Sequence, residues 1–184
     1  MTQVRFEATP NPATLKFLLP RKVVEGSHDF PTAQDAEASP LASKIFGFPW
    51  TARVFLGPDF VAVTKQDWVE WEILAEPLAG LINEHLESGD PTLLDLEKVQ
   101  ALNDEDPNDS PIVADIKRAL NREIRPVVAL DGGDVVFAKY DANILYLHMK
   151  GACAGCPSSS ATLKDGIEVR LRELFPEIKE VVSM

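Results

Sequence analysis

"GACAGCPSSSATLKDGIE", Gly151 to Glu168, holds both cysteines of a 184-residue chain. Its flanks decide the fold of the second half. Before it, "ILYLHMK" (Ile144 to Lys150) alternates apolar and polar residues as a strand does. After it, Leu163, Ile167, Leu171 and Leu174 repeat at the spacing of one helical face. The two thiols therefore leave a strand and precede a helix, with Pro157 near its first turn. A helix N-terminus offers unpaired amides and a partial positive charge, which favour a thiolate. Gly151 and Gly155 permit the bends that aim two sulfurs at one centre. Such a pair serves an iron–sulfur cluster, a zinc ion or a dithiol–disulfide cycle.

Upstream, Ser110 suits a helix N-cap and Pro111 the first helical position, and Ile112, Ile116, Leu120 and Ile124 form one apolar face. That helix is expected to end before Pro126. "DVVFAKY" and "ILYLHMK" flank Asp141-Ala142-Asn143 as a hairpin, and "IKEVVS", beyond Pro176, reads as a last strand. The order is α-β-β-α-β. Between the first helix and the hairpin, Asp131-Gly132-Gly133-Asp134 pairs two carboxylates. It lacks the oxygen spacing of a calcium loop and reads as a turn with positive φ at one glycine.

The first half is a second α+β unit. Residues 1–19 read as extended chain broken at "TPNP" (Thr9 to Pro12), with a strand in "ATLKFLL" (Ala13 to Leu19). "SPLASKIFG" places Ser39 as N-cap, Pro40 first in the helix and Gly47 at its stop. "TARVFLGPDFVAVTK" (Thr51 to Lys65) is a hairpin around Gly57-Pro58-Asp59, and Asp67 to Leu86 carries Trp71, Leu74, Leu78, Leu81, Ile82 and His85 on one helical face. From Glu87 to Pro111 there are eight acids and one base, Lys98, with apolar residues from Leu93 to Leu102 that suit a short docked helix. The expected layout is two small α+β domains, 1–88 and 110–184, joined by an acidic linker over 89–109.

Composition narrows the function. A net charge of −11 argues against holding a phosphate backbone, so no nucleic acid is expected as a partner. Nor is a membrane, since no run of 18 apolar residues occurs. The start, "MTQVRFEATPNP", has none of the features of a secretory signal or an organellar presequence. A reducing cytoplasm is expected, with the mitochondrial matrix only for a processed form. No Ser/His/Asp set, phosphate loop or activated nucleophile is visible, so no catalytic residues are assigned.

A thioredoxin-type redox motif would need a larger βαβ domain. Zinc and iron–sulfur clusters usually want four ligands. The remaining soft side chains are His28, His85 and His148; His85 falls on its helix's core stripe and His148 on the wetter face of a strand. The economical way to reach four is a two-fold axis that brings Cys153 and Cys156 of two subunits around one centre.

"IRPVVALDGGDVVF" followed by "GACAGCPSSSATLKDGIEVRLRELFPEIKEV" resembles the C-terminal domain of NifU-like (Nfu-type) iron–sulfur cluster proteins. "TPNPATLKF", "SPLASKIFG" and "FLGPDFVAVTK" resemble the N-terminal domain that precedes it in that family. "FPWTARVFL" departs from the family pattern, which alters local packing and leaves the thiol motif intact. The resemblance implies a carrier, not an enzyme. One [4Fe-4S] cluster per homodimer, with [2Fe-2S] as the second choice, would be ligated by Cys153 and Cys156 of each subunit. The implied partners are a second copy of the chain, apo iron–sulfur acceptor proteins, and an upstream assembly scaffold or A-type carrier. The first domain would serve partner contact or selectivity.

Overall fold

A computed structural model describes residues 3–94, 106–154 and 157–184, with side chains of the last segment described from Lys164 onward. The chain is mixed helix and strand and divides into two compact units, Met1–Val99 and Gln100–Met184.

In the first unit, β1 (Arg5–Ala8), β2 (Thr14–Leu18), β3 (His28–Phe30), β4 (Thr51–Leu56) and β5 (Phe60–Lys65) make an antiparallel sheet in the order β1-β2-β5-β4-β3. The turn at "TPNP" is held by the Asn11 side chain, whose Oδ1 accepts from the Ala13 amide at 3.0 Å. One sheet face buries Phe17, Val54, Leu56, Val61 and Val63 against α1 (Pro40–Phe46) and α2 (Trp71–Ser88). α1 starts where expected. Ser39 Oγ accepts from the Ala42 amide at 3.0 Å and Gly47 follows the last turn. α2 begins four residues later than its apolar spacing suggests, and buries Ala75, Leu78, Ala79, Ile82 and His85. The unusual "FPW" segment is absorbed by ring packing: Phe48 stacks on Trp50 at 5.1 Å, and Trp50 meets Trp71 edge-on at 6.3 Å. Strand β3 was not expected; three residues give too little alternation to register as a strand.

Residues after α2 stay attached to the first unit. Ser39 Oγ donates to the Thr92 carbonyl at 2.6 Å, the Leu94 amide donates to the Ala38 carbonyl at 2.9 Å, and Leu93 packs on the core. The helix suggested between Leu93 and Leu102 lies largely outside the described residues.

The second unit follows the order α-β-β-α-β, with one correction at its start. The first helix does not end before Pro126. α3 (Pro111–Ala119) passes through a π-helical stretch, Leu120–Ile124, into α4 (Arg125–Leu130). Two physical features explain this. The Arg125 amide donates to the Leu120 carbonyl, so the chain widens just where Pro126 has no N–H to offer. In addition, apolar residues every fourth position drift by about 40° per step around an α-helix, and a wider turn takes that drift back. Ile116, Leu120, Ile124 and Val128 thus all reach the core. Ser110 holds the N-cap position with extended backbone, although its hydroxyl makes no capping bond.

Strands β6 (Gly133–Asp141) and β7 (Ile144–Gly151) form the hairpin, and β8 (Glu180–Ser183) runs parallel to β7 after α5 (Pro157–Leu174). The hairpin turn is Ala142-Asn143, with φ of 50° and 66°. Both values belong to a two-residue turn whose twist matches the strands. The core joins the helical rod, the inner sheet face and α5 through Val135, Leu145, Leu147, Ile167, Leu171 and Val181.

Candidate metal centre

Strand β7 ends at Gly151, whose φ of 66° turns the chain out of the sheet. The Ala152 amide then donates to the Gly132 carbonyl at 3.1 Å, and the Ala154 amide to the Gly151 carbonyl at 3.0 Å. Between them sits Cys153, only 3% exposed and packed with the apolar core of the second unit. Cys156 lies outside the described residues, one position before the start of α5 in sequence.

The Asp-Gly-Gly-Asp turn closes over Cys153 from the other strand. Gly132 takes the left-handed conformation the turn requires, with φ of 78°. Gly133 serves a different purpose. A Cβ there would stand 2.6 Å from Cys153 Sγ and 2.7 Å from the Lys150 carbonyl oxygen. Real Cβ atoms do not come that close, so this position must be glycine for the thiol to sit where it does. The second aspartate is not a metal-loop ligand. Asp134 is 4% exposed and accepts two hydrogen bonds from Arg125, Nε to Oδ1 at 2.8 Å and Nη2 to Oδ2 at 2.7 Å. Its Oδ1 also accepts from the Val135 amide. A bidentate guanidinium–carboxylate pair is geometrically specific. It fixes the start of β6, and with it Gly133, to the helical rod.

His28 and His85 belong to the first unit and His148 to β7. His28 Nε2 is 3.0 Å from the Glu25 carbonyl, and His148 lies half-buried on β7 between Leu147 and Met149. His85 is fully buried on α2, with Lys44 Nζ 3.1 Å from its Nδ1. Its Nε2 makes no hydrogen bond among the described residues. Burial, then the Lys44 ammonium, hold its pKa below the ordinary value, while Asp90 and the Pro91 carbonyl act in the opposite direction. Among the described residues no three His, Cys, Asp or Glu side chains gather as a metal group.

Sequence reading singled out Cys153 and the turn but missed Gly133 and the Arg125–Asp134 pair. Two signals were there. A turn with one positive φ needs one glycine, and this one has two; and an acid stands directly before an apolar strand run.

Two α+β units, the second bearing a strand–thiol–helix junction, define the class. The model "Scaffold protein Nfu/NifU N terminal" matches residues 4–89, and "NifU-like domain" matches residues 116–182. NifU-like protein 5, mitochondrial, from Arabidopsis thaliana is 43% identical over 182 residues, covering 97% of this chain and 66% of that protein. The NFU1 iron-sulfur cluster scaffold homolog, mitochondrial, from Drosophila erecta is 39% identical over 184 residues, covering 97% of this chain and 63% of that protein. A solved NifU-like protein from Saccharomyces cerevisiae covers 49% of this chain and 82% of its own at 23% identity and a TM-score of 0.44, which carries no argument. The chain belongs to the Nfu/NifU family. It spans less than two thirds of the length of these curated relatives, whose names place them in mitochondria. Among the described residues no helix is long and apolar enough to cross a membrane.

Proposed function

We propose that the protein carries an iron–sulfur cluster and delivers it to apo-proteins. The observation that carries this reading is Cys153, at the end of a strand and against Gly133, whose missing side chain leaves room for the thiol, in a chain of this family. The cargo is a [4Fe-4S] cluster shared by two copies, ligated by Cys153 and Cys156 of each; a [2Fe-2S] cluster is the second choice. No substrate turnover is assigned to it. An upstream assembly scaffold or A-type carrier supplies the cluster. The compartment is a reducing one, the cytoplasm or, for a processed form, the mitochondrial matrix.

Burial of Cys153 bears on how such a cargo would be released. The described conformation packs this sulfur in the core, so ligation requires the Ala152–Ala154 turn to swing outward. Re-packing the thiol when an acceptor's own thiol replaces it recovers apolar burial. Displacement of one thiolate at a time then needs no release of iron to solvent. Anaerobic reconstitution with iron and sulfide, followed by an absorption spectrum and iron analysis, tests the reading. A broad visible absorption with stoichiometric sulfide is expected; a colourless protein holding zinc would overturn it.

A further inference from the structure

Strand β1 is an edge of the first unit's sheet. It pairs with β2 alone, in unbroken register from Arg5–Leu18 to Ala8–Leu15, and all four of its residues are exposed. Among the described residues its main chain makes no hydrogen bond other than those to β2. Backbone N–H and C=O groups of alternate residues therefore face away from the sheet without partners. Between β1 and α2, along this edge, lies a cleft of about 420 Å³. Val4, Phe6 and Ala79 give it an apolar lining, and Glu76 and Asn83 a polar one. Gly80 leaves the helix side open, since a Cβ there would meet nothing within 4 Å. Phe6, 38% exposed, rests its ring against Phe17 at 5.9 Å, which fixes the wall on the strand side.

We infer that this cleft binds an extended segment of a partner polypeptide, which adds to β1 as a further strand and sets apolar and basic side chains toward α2. Three arguments select that occupant. Open main-chain groups on a strand edge are matched by another strand, whereas a helix has already bonded its own. A four-residue edge bearing Arg5 and Glu7 is too short and too charged to recruit strands at random, so selection falls to the cleft. Every second residue of an added strand projects toward α2, where Val4 and Ala79 receive an apolar side chain. Charge selects the next one. Glu72 and Glu76 stand one turn apart on the exposed side of α2, and neither has a side-chain partner among the described residues. No Lys or Arg occurs from Gln66 to Ser88, and Arg5 is the single cation of the lining. A basic side chain on the incoming strand is the complement. The inference goes beyond the carrier reading and uses no residue of the thiol site, so its test requires no iron.

The probe is the end-blocked peptide Thr-Val-Thr-Lys-Thr-Val-Thr, which as a strand places valine and lysine on one face. It is titrated into the isotope-labelled full chain and followed by NMR. Amide shifts are expected in β1 and in residues 76–83 of α2, with slower exchange of β1 amides in the bound state. Gly80→Leu fills the cleft with a better helix former, so it should weaken binding by about tenfold or more with unchanged circular dichroism. Glu76→Lys should weaken the lysine peptide and strengthen the same peptide with glutamate in place of lysine. Glu37→Lys, the same charge change at an exposed residue outside the cleft, should bind as wild type does. No shift in β1 up to the solubility limit of the peptide, or wild-type affinity in Gly80→Leu, overturns the inference. Shifts in α2 without slowed exchange in β1 would mean a groove with no added strand and overturn it too. Shifts in β1 that follow protein concentration without peptide would assign the edge to a second copy and also overturn it.

Discussion

Gly133 has little latitude beside the thiol. In Gly133→Ala the new methyl meets a backbone carbonyl at 2.7 Å as well as Cys153 Sγ, so strand or thiol must shift. A cost of about 1–3 kcal/mol is expected, which lowers the melting temperature of a unit this size by roughly 4–8 °C per kcal/mol. Iron uptake should fall in parallel. Gly132→Ala strains the left-handed turn by a similar ~1–2 kcal/mol through its backbone conformation. Uptake per folded molecule should survive it. Equal iron loss in both variants would show that general destabilisation, and not space for Cys153, is what matters.

His85 gives a second test at this scale. Its Nδ1 accepts from the Lys44 ammonium, so a proton added there would face a positive charge in a buried site. The folded pKa lies below the unfolded value of 6.5, hence the neutral ring is the stabilising form. Its contribution is complete above that value, declines as pH falls below it, and levels off beneath the folded pKa. Asp90, whose pKa is lowered chiefly by its hydrogen bond from Lys44, titrates outside this window. Denaturant unfolding of the first unit between pH 7 and pH 5 should show stability falling in wild type and a flatter curve in His85→Gln. Parallel curves would assign the loss to other groups.

Among the elements, the helical rod shows both what sequence reveals and what it conceals. Ile116, Leu120 and Ile124 announce a helix by spacing alone, and Ser39-Pro40 with Gly47 marks both ends of α1, because these signals are local. Pro126 misled, because its effect depends on whether the preceding turn can widen, and no local rule states that. Cys153 was legible as a candidate ligand from its motif. That it is buried, and against which glycine, depends on pairing between β6 and β7 and could not be read from either strand. The same holds for the Arg125–Asp134 pair, nine residues apart in the chain. Asp134→Asn removes the charge and leaves Arg125 facing a neutral amide, so a loss of about 1–3 kcal/mol is expected by thermal unfolding. A change below a few tenths would mean that this pair does not anchor β6.

For the whole molecule, two cores built from separate residue sets predict separable folding. Residues 110–184 alone should fold and take up the cluster, while a fragment ending at 94 should fold without binding iron. A fragment ending at 88 loses the Ser39–Thr92 and Leu94–Ala38 hydrogen bonds and should melt lower than the one ending at 94. Amide dispersion in NMR spectra of the three fragments reports this directly. An unfolded 110–184 piece would contradict the division.

Delivery is the central claim, and one kinetic experiment addresses it. Loaded protein is mixed with an apo [4Fe-4S] enzyme, such as apo-aconitase, in the presence of an iron chelator, alongside samples of Cys153→Ser and Cys156→Ser taken through the same loading procedure. Wild type should activate the acceptor faster than free iron and sulfide do, with little iron reaching the chelator. The two variants should hold no cluster to give, since the chain has no spare thiol and oxygen is a poor substitute for a soft thiolate. Activation no faster than free iron and sulfide, or capture of the iron by the chelator first, would contradict the account.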